Sequence, residues 1–202
     1  MDIVRSSFLT QRNKDFSDIN GIGAVNRGPC ARLIRSDIAK NVPFDVELII
    51  GEDVVWNMRI LNACDTVCYV KNIWYGYLIY ETSSLRKYYG NRAELLGKYH
   101  STLYNNNKEY CDKNIGDYAV NMSVSFYTMV LFDYLSKECP LTEKEKRCEI
   151  KQILKRFPWT VMKEKRAAEK ILPRYRIFLT ACRLGLGLSL LRIWEAFKAW
   201  RR

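Results

Sequence analysis

Histidine is nearly missing: His100 stands alone among 202 residues. Seven cysteines are present (Cys30, Cys64, Cys68, Cys111, Cys139, Cys148 and Cys182), but none form a C-x-x-C pair. Cys64 and Cys68 lie four apart, with no second pair and no nearby histidine to complete a zinc site. An odd, scattered set reads as free thiols in a reducing compartment rather than a disulfide framework. Glycine (10) and proline (5) are scarce, which excludes collagen-like and linker-rich chains. No run of 18 uncharged apolar residues occurs, so no ordinary transmembrane helix is expected. The first residues (MDIVRSSFLTQRNKDF) hold no apolar core and no cleavage site, so they are not read as a signal peptide.

What is there suffices for a core. The chain is 48% hydrophobic and 27% charged, composition for one domain, alone or with a helical appendage. Its net charge of +11 is unevenly placed. Residues 1–136 carry 15 Lys+Arg and 15 Asp+Glu; residues 137–202 carry 18 against 7, so the whole excess lies in the last third. A neutral body with a basic helical tail invites an anionic partner.

Local patterns divide the chain. Residues 1–28 are polar and end in glycines. Cys30–Ile34 reads as a short strand after Gly28-Pro29, and Ser36 as the cap of a one-turn helix, Asp37–Lys40. Asn41–Gly51 is a loop with an apolar patch, Leu48-Ile49-Ile50. Glu52 and Asp53 then open the clearest helix of the first half, where carboxylates favour the positive end of the helix dipole. Val54, Val55, Met58, Leu61 and Asn62 follow its repeat, and it stops near Cys64. Thr66–Val70 and Ile73–Tyr80 are β-branched and aromatic, and read as strands. From about Asn91 the pattern is helical. Ala93–Tyr110 and Tyr118–Lys137 are separated by Asn114 and Gly116, and Thr142 with Glu145 makes a capping box for Glu143–Phe157.

The chemistry concentrates at Gly51-Glu52-Asp53. Adjacent acids after a glycine at a helix start can turn one carboxylate into a cleft, although acids in a first turn are also ordinary capping. Upstream stands Gly28-Pro29-Cys30-Ala31-Arg32-Leu33-Ile34-Arg35; downstream stands Val70-x-x-Ile73-Trp74-Tyr75-Gly76-Tyr77, then Ser84-Leu85. This order resembles the second half of the family 2 glycosyltransferases, inverting nucleotide-sugar enzymes of GT-A fold. Their bacterial polysaccharide members show a W-x-K-L-[FY]-[RK] strand, a loop to G-E-D and a helix, a Y-Y-Y-R strand and an S-[LI] element. The resemblance spans roughly Gly28 to Tyr88.

The resemblance implies an α/β fold class: a partial GT-A-like unit of a few strands with the E-D helix, followed by an all-α C-terminal region. Residues 1–90 would be the acceptor side of the catalytic domain, 91–172 a helical region and 173–202 a basic amphipathic helix. It also implies roles. Asp53 would be the catalytic base that takes the proton of the acceptor hydroxyl. Glu52 would position Asp53 or the acceptor. Arg32, where the family has lysine, would act electrostatically near the phosphate or acceptor. Tyr75 and Tyr77 would line the acceptor groove, with sheet packing as the plainer reading. Partners would be a nucleotide sugar and a glycan acceptor. The family's P-x-Y-N strand and metal-holding D-x-D motif precede this region and do not occur in the chain; Asp45-x-Glu47 lies on the wrong side of Arg32. Leu78 replaces the family's arginine. The chain therefore reads as a truncated transferase, inactive alone, with no cofactor of its own; manganese or magnesium belongs to the completed enzyme.

Residues 174–202 carry Phe178, Cys182, Leu186, Leu190, Ile193, Phe197 and Trp200 at steps of three or four, with Arg176, Arg183, Lys198, Arg201 and Arg202 opposite. Read as one helix, this suits an anionic membrane surface and implies a cytoplasmic protein peripheral on the inner face of the cell membrane. It also suits a last helix packed on the body. Two non-catalytic alternatives remain open: a basic helical module for a membrane surface or nucleic acid, and a helper pairing through an open sheet edge. No nucleic-acid motif is visible, and no nucleic acid is expected as partner.

Overall fold

The computed structural model describes residues 30–68, 75, 76, 78, 88–165 and 173–200. Helices dominate them. A short α1 (Ser36–Asn41) precedes α2 (Glu52–Ala63). Then come α3 (Arg92–Asn106), α4 (Lys108–Lys113) and α5 (Ile115–Ser125). A π-helical turn (Phe126–Val130) joins α5 to α6 (Leu131–Leu135). Helix α7 (Glu143–Ile153) and a 3-10 turn (Trp159–Lys163) lead to α8 (Pro173–Arg183) and α9 (Gly187–Trp200).

The α/β expectation is thereby corrected: among the described residues there is no strand and no sheet. Cys30–Ile34 has no regular structure; Ala31 takes a left-handed φ of 59°, which breaks an extended run. Leu33 and Val67 are exposed rather than laid into a sheet face. Thr66–Cys68 is irregular, as are Tyr75, Gly76 and Leu78. β-Branched and aromatic residues favour a strand only where a neighbouring strand completes the ladder, and none of the described segments supplies one. The remainder of the two expected strands, with Val70, Ile73, Trp74, Tyr77 and Tyr80, lies outside the described residues.

The core is built around α5. Its apolar residues have no single side, so it sits at the centre: Ile115, Tyr118, Ala119, Val120 and Met122 are all buried. Helix α3 covers it with Leu96, Tyr99 and Leu103; the 3-10 turn brings Trp159, Val161 and Met162. Aromatic rings lock these layers in offset or edge contacts. Tyr104 meets Tyr118 at 5.4 Å, His100 meets Trp159 at 5.8 Å, and Trp159 meets Phe126 at 5.6 Å between ring centroids. The single histidine is a core residue. It lies within hydrogen-bonding distance of the Ser125 hydroxyl (3.1 Å), and its backbone carbonyl accepts from the Tyr118 hydroxyl at 2.8 Å.

Helix α2 packs on α3 through Val54, Val55, Met58 and Leu61, as its repeat predicts. Asn62, expected on that face, is exposed, while Asn57 and Ile60 are buried. Ser36 begins α1 rather than capping it; Arg35 holds the cap position. Helix α7 opens on the expected capping box. The Glu145 amide donates to Thr142 Oγ1 (3.4 Å), and the Thr142 amide donates to the Glu145 carboxylate (2.7 Å).

The expected single tail helix is instead two. Gly185, at φ 76°, ends α8 in a Schellman turn: its amide donates to Cys182 (3.0 Å) and that of Leu186 to Ala181 (2.7 Å). A Cβ on Gly187 would stand 2.5 Å from Cys182 Sγ, so α9 starts pressed against α8. Phe178, Leu179, Cys182, Leu188 and Leu191 enter the core, so Phe178 and Cys182 of the predicted stripe are not available to a membrane. Tyr127 packs between Phe178 and Trp194, which holds the hairpin to the body.

One buried ion pair ties the start of α3 to α6. Arg92 Nε donates to Asp133 at 2.6 Å, and the Tyr89 amide also points at that carboxylate (3.3 Å). Removing one partner of such a pair strands the other charge. Asp133→Ala is expected to cost about 3–5 kcal/mol in urea unfolding. The double replacement Arg92→Met with Asp133→Leu should recover most of that loss. Thr142→Ala should cost about 1 kcal/mol by loss of the cap alone.

Candidate functional site at the mouth of helix α2

Gly51 sets the geometry of the site. It caps α2 with φ 78° and ψ 12°, a left-handed conformation natural only to glycine. A Cβ there would overlap ring carbons of Tyr99 on α3. The glycine thus does two things: it turns the chain sharply into the helix, and it lets that turn lie flat on an aromatic ring. The first intrahelical bond follows at once, from the Val55 amide to the Gly51 carbonyl (3.0 Å).

The loop before Gly51 is clamped rather than loose. Trp56 Nε1 donates to the Val42 carbonyl at 2.6 Å, and the Trp56 ring stacks on Phe44 at 4.6 Å with 7° between planes. Arg59 reaches back to Asp45 (3.2 Å), and Lys98 of α3 to Glu47 (2.9 Å). Asp45 and Glu47, whose spacing mimics a metal motif, are thus engaged by cations of the scaffold. The Val42–Trp56 and Phe44–Trp56 contacts were not foreseen from the sequence; an exposed-looking loop with one aromatic, followed by a helical tryptophan, was their only trace.

Glu52 and Asp53 occupy the first turn of α2, each partly buried. Asp53 accepts from the Val54 amide at 2.7 Å. Arg32 is half-buried and close enough for Asp53 to act on it. Burial lowers the affinity of its guanidinium for the proton, and the Asp53 carboxylate opposes that effect. Two of the expected site residues, Arg32 and Asp53, thus lie within electrostatic reach of each other. Tyr75 is half-exposed and, like Gly76 beside it, has no regular structure. Tyr77 lies outside the described residues.

The arrangement offers a carboxylate at the positive end of a helix beside a cation, suited to accepting a proton or orienting a hydroxyl. Other nucleophiles are poorly placed. Every cysteine of the described residues is a free thiol, and burial pushes Cys111 and Cys182 up to about 12, which keeps them protonated and inert at neutral pH. The Tyr104 hydroxyl is likewise raised to about 12, by burial and by its hydrogen bond to Asp112. Among the described residues no cluster of His, Cys, Asp or Glu could hold a metal ion. They do not fit the divalent ion of a nucleotide-sugar enzyme. No helix of the described residues is long and apolar enough to cross a membrane.

Against family models, curated proteins and solved structures, the chain has no match.

The Gly51 joint is directly testable. Gly51→Ala must both adopt the left-handed region and displace the Tyr99 ring. Each effect costs about 1–3 kcal/mol, so a loss of roughly 2–6 kcal/mol is expected in chemical denaturation. An alanine variant as stable as the original would show that the turn is not built this way.

Proposed function

We propose that this chain is the acceptor-side, catalytic-base portion of an inverting family 2 glycosyltransferase. It would work in cell-surface polysaccharide assembly at the cytoplasmic face of the membrane. The observation that supports this reading is the acidic first turn of a glycine-capped helix, with Asp53 in it and the Arg32 guanidinium within electrostatic reach. In the reaction, Asp53 takes the proton of an acceptor hydroxyl as that oxygen attacks the anomeric carbon of the donor sugar. The leaving nucleoside diphosphate departs from the opposite face, so configuration inverts. Arg32 contributes positive charge near Asp53 and the acceptor. Glu52 positions the acceptor or Asp53. The donor is held by a nucleotide-binding portion that these residues do not contain, which makes the chain inactive by itself.

The test is a transfer assay in two settings. The chain alone, given a panel of nucleotide sugars with manganese or magnesium, is expected to show no turnover. Joined behind the nucleotide-binding half of a family 2 polysaccharide transferase, it is expected to transfer sugar to a glycan acceptor. Asp53→Asn should then lower kcat by about 10²–10⁴-fold, the usual contribution of general acid–base catalysis, with helicity unchanged. Robust turnover that ignores Asp53→Asn would overturn the assignment.

A further inference from the structure

The turn between α8 and α9 presents two leucines to solvent: Leu184 is 67% exposed and Leu186 50%. Neither is needed by the core, which α8 and α9 enter through other residues. Ile177, seven residues before Leu184 and so on the same face of α8, is also exposed. An apolar tip of this kind is costly in water unless something covers it.

Cations surround that tip from separate elements. Lys151 of α7 lies beside the turn, its Cε 3.2 Å and Nζ 3.8 Å from where a Gly185 Cβ would be. Arg183 ends α8 and donates to the Met162 carbonyl at 3.2 Å, which sets its guanidinium against the 3-10 turn. Lys163 of that turn loses proton affinity through partial burial and through the nearby charges of Arg183 and Lys155, so these cations share one neighbourhood. On α7, Arg147 precedes Lys151 by four residues, so the two lie about 40° apart around the helix, while Glu145 and Glu149 fall on other faces. Glu149 is also engaged by the Tyr134 hydroxyl (2.7 Å), and Glu143 by Arg192 (2.5 Å). The patch is thus apolar at its centre and positive around it, from residues far apart in sequence.

We propose that the α8–α9 turn is a membrane-docking tip whose ligand is an anionic lipid surface. Leu184 and Leu186 enter the boundary between headgroups and acyl chains, and Lys151, Lys155, Lys163 and Arg183 pair with lipid phosphates. Charge complementarity selects this occupant: a protein partner for two leucines has no need of a cationic ring, and a nucleic acid has no use for the leucines. The docking element is a hairpin turn rather than the side of a continuous helix. It is independent of the transferase reading, since it uses none of Arg32, Glu52 or Asp53.

The experiment is co-sedimentation of the full chain with vesicles of phosphatidylcholine alone or with added phosphatidylglycerol, at low and high salt. Binding is expected only to the anionic vesicles and should weaken as salt rises. Leu184→Ser with Leu186→Ser, both exposed and so harmless to folding, should lower partitioning about a hundredfold with every charge intact. Lys151→Gln with Lys155→Gln should lower it about thirtyfold. Circular dichroism melts check that each variant folds. No binding to anionic vesicles would overturn the proposal. So would binding that survives the leucine replacements, or salt-sensitive binding to a single-stranded oligonucleotide in their place.

Discussion

The contact between Gly51 and the Tyr99 ring is the constraint on which the arrangement at the mouth of α2 depends. A left-handed residue is needed to turn the chain from the clamped loop into α2, and only glycine takes that conformation without penalty while lying against an aromatic face. Because Tyr99 belongs to α3, and α3 covers the central α5, the position of the acidic helix start is referred to the middle of the bundle. A carboxylate on a mobile loop would have to be ordered anew for each encounter with substrate. Here the ordering is built in by a turn, a ring and the Trp56–Val42 hydrogen bond.

Electrostatics are organised at two levels. Inside, the buried ion pair of Arg92 with Asp133 links α3 to α6 and has its remaining acceptor capacity partly used by the Tyr89 amide. Outside, the surplus of positive charge is confined to the C-terminal third, where α7, the 3-10 turn and α8 gather it beside exposed leucines. The acid-bearing mouth of α2 and the basic hairpin turn therefore use different parts of the chain and different physics. One depends on proximity and partial burial, the other on a field spread over a surface.

Features decided within a few residues were legible in the sequence. The start of α2, the burial of Val54, Val55, Met58 and Leu61 along it, its end near Cys64, and the capping box of α7 each follow from patterns within a few turns of helix. The breadth of apolar residues in α5 likewise announced its burial. Features that depend on a distant partner were not legible. Cys30–Ile34 follows the Gly28-Pro29 break that suggests a strand, yet a strand also needs a neighbour, and Ala31 is instead left-handed. The tail reads as one stripe because Phe178, Cys182, Leu186 and Leu190 keep helical spacing. The Schellman bonds at Gly185 break that spacing, and Phe178 and Cys182 turn inward. At the candidate site, the acidic pair was visible as a motif, but Tyr99 was not, since nothing local links position 51 to position 99.

The account is tested most directly by native-state hydrogen exchange at the Val55 amide, which donates to the Gly51 carbonyl at 3.0 Å. If the glycine turn is locked onto the bundle, this amide exchanges only with global unfolding, at the same free energy as the Met122 amide in α5. An amide at Val55 that exchanges as freely as a fraying helix end, while Met122 stays protected, would mean that the mouth of α2 is not held in place and that Asp53 has no fixed position from which to act.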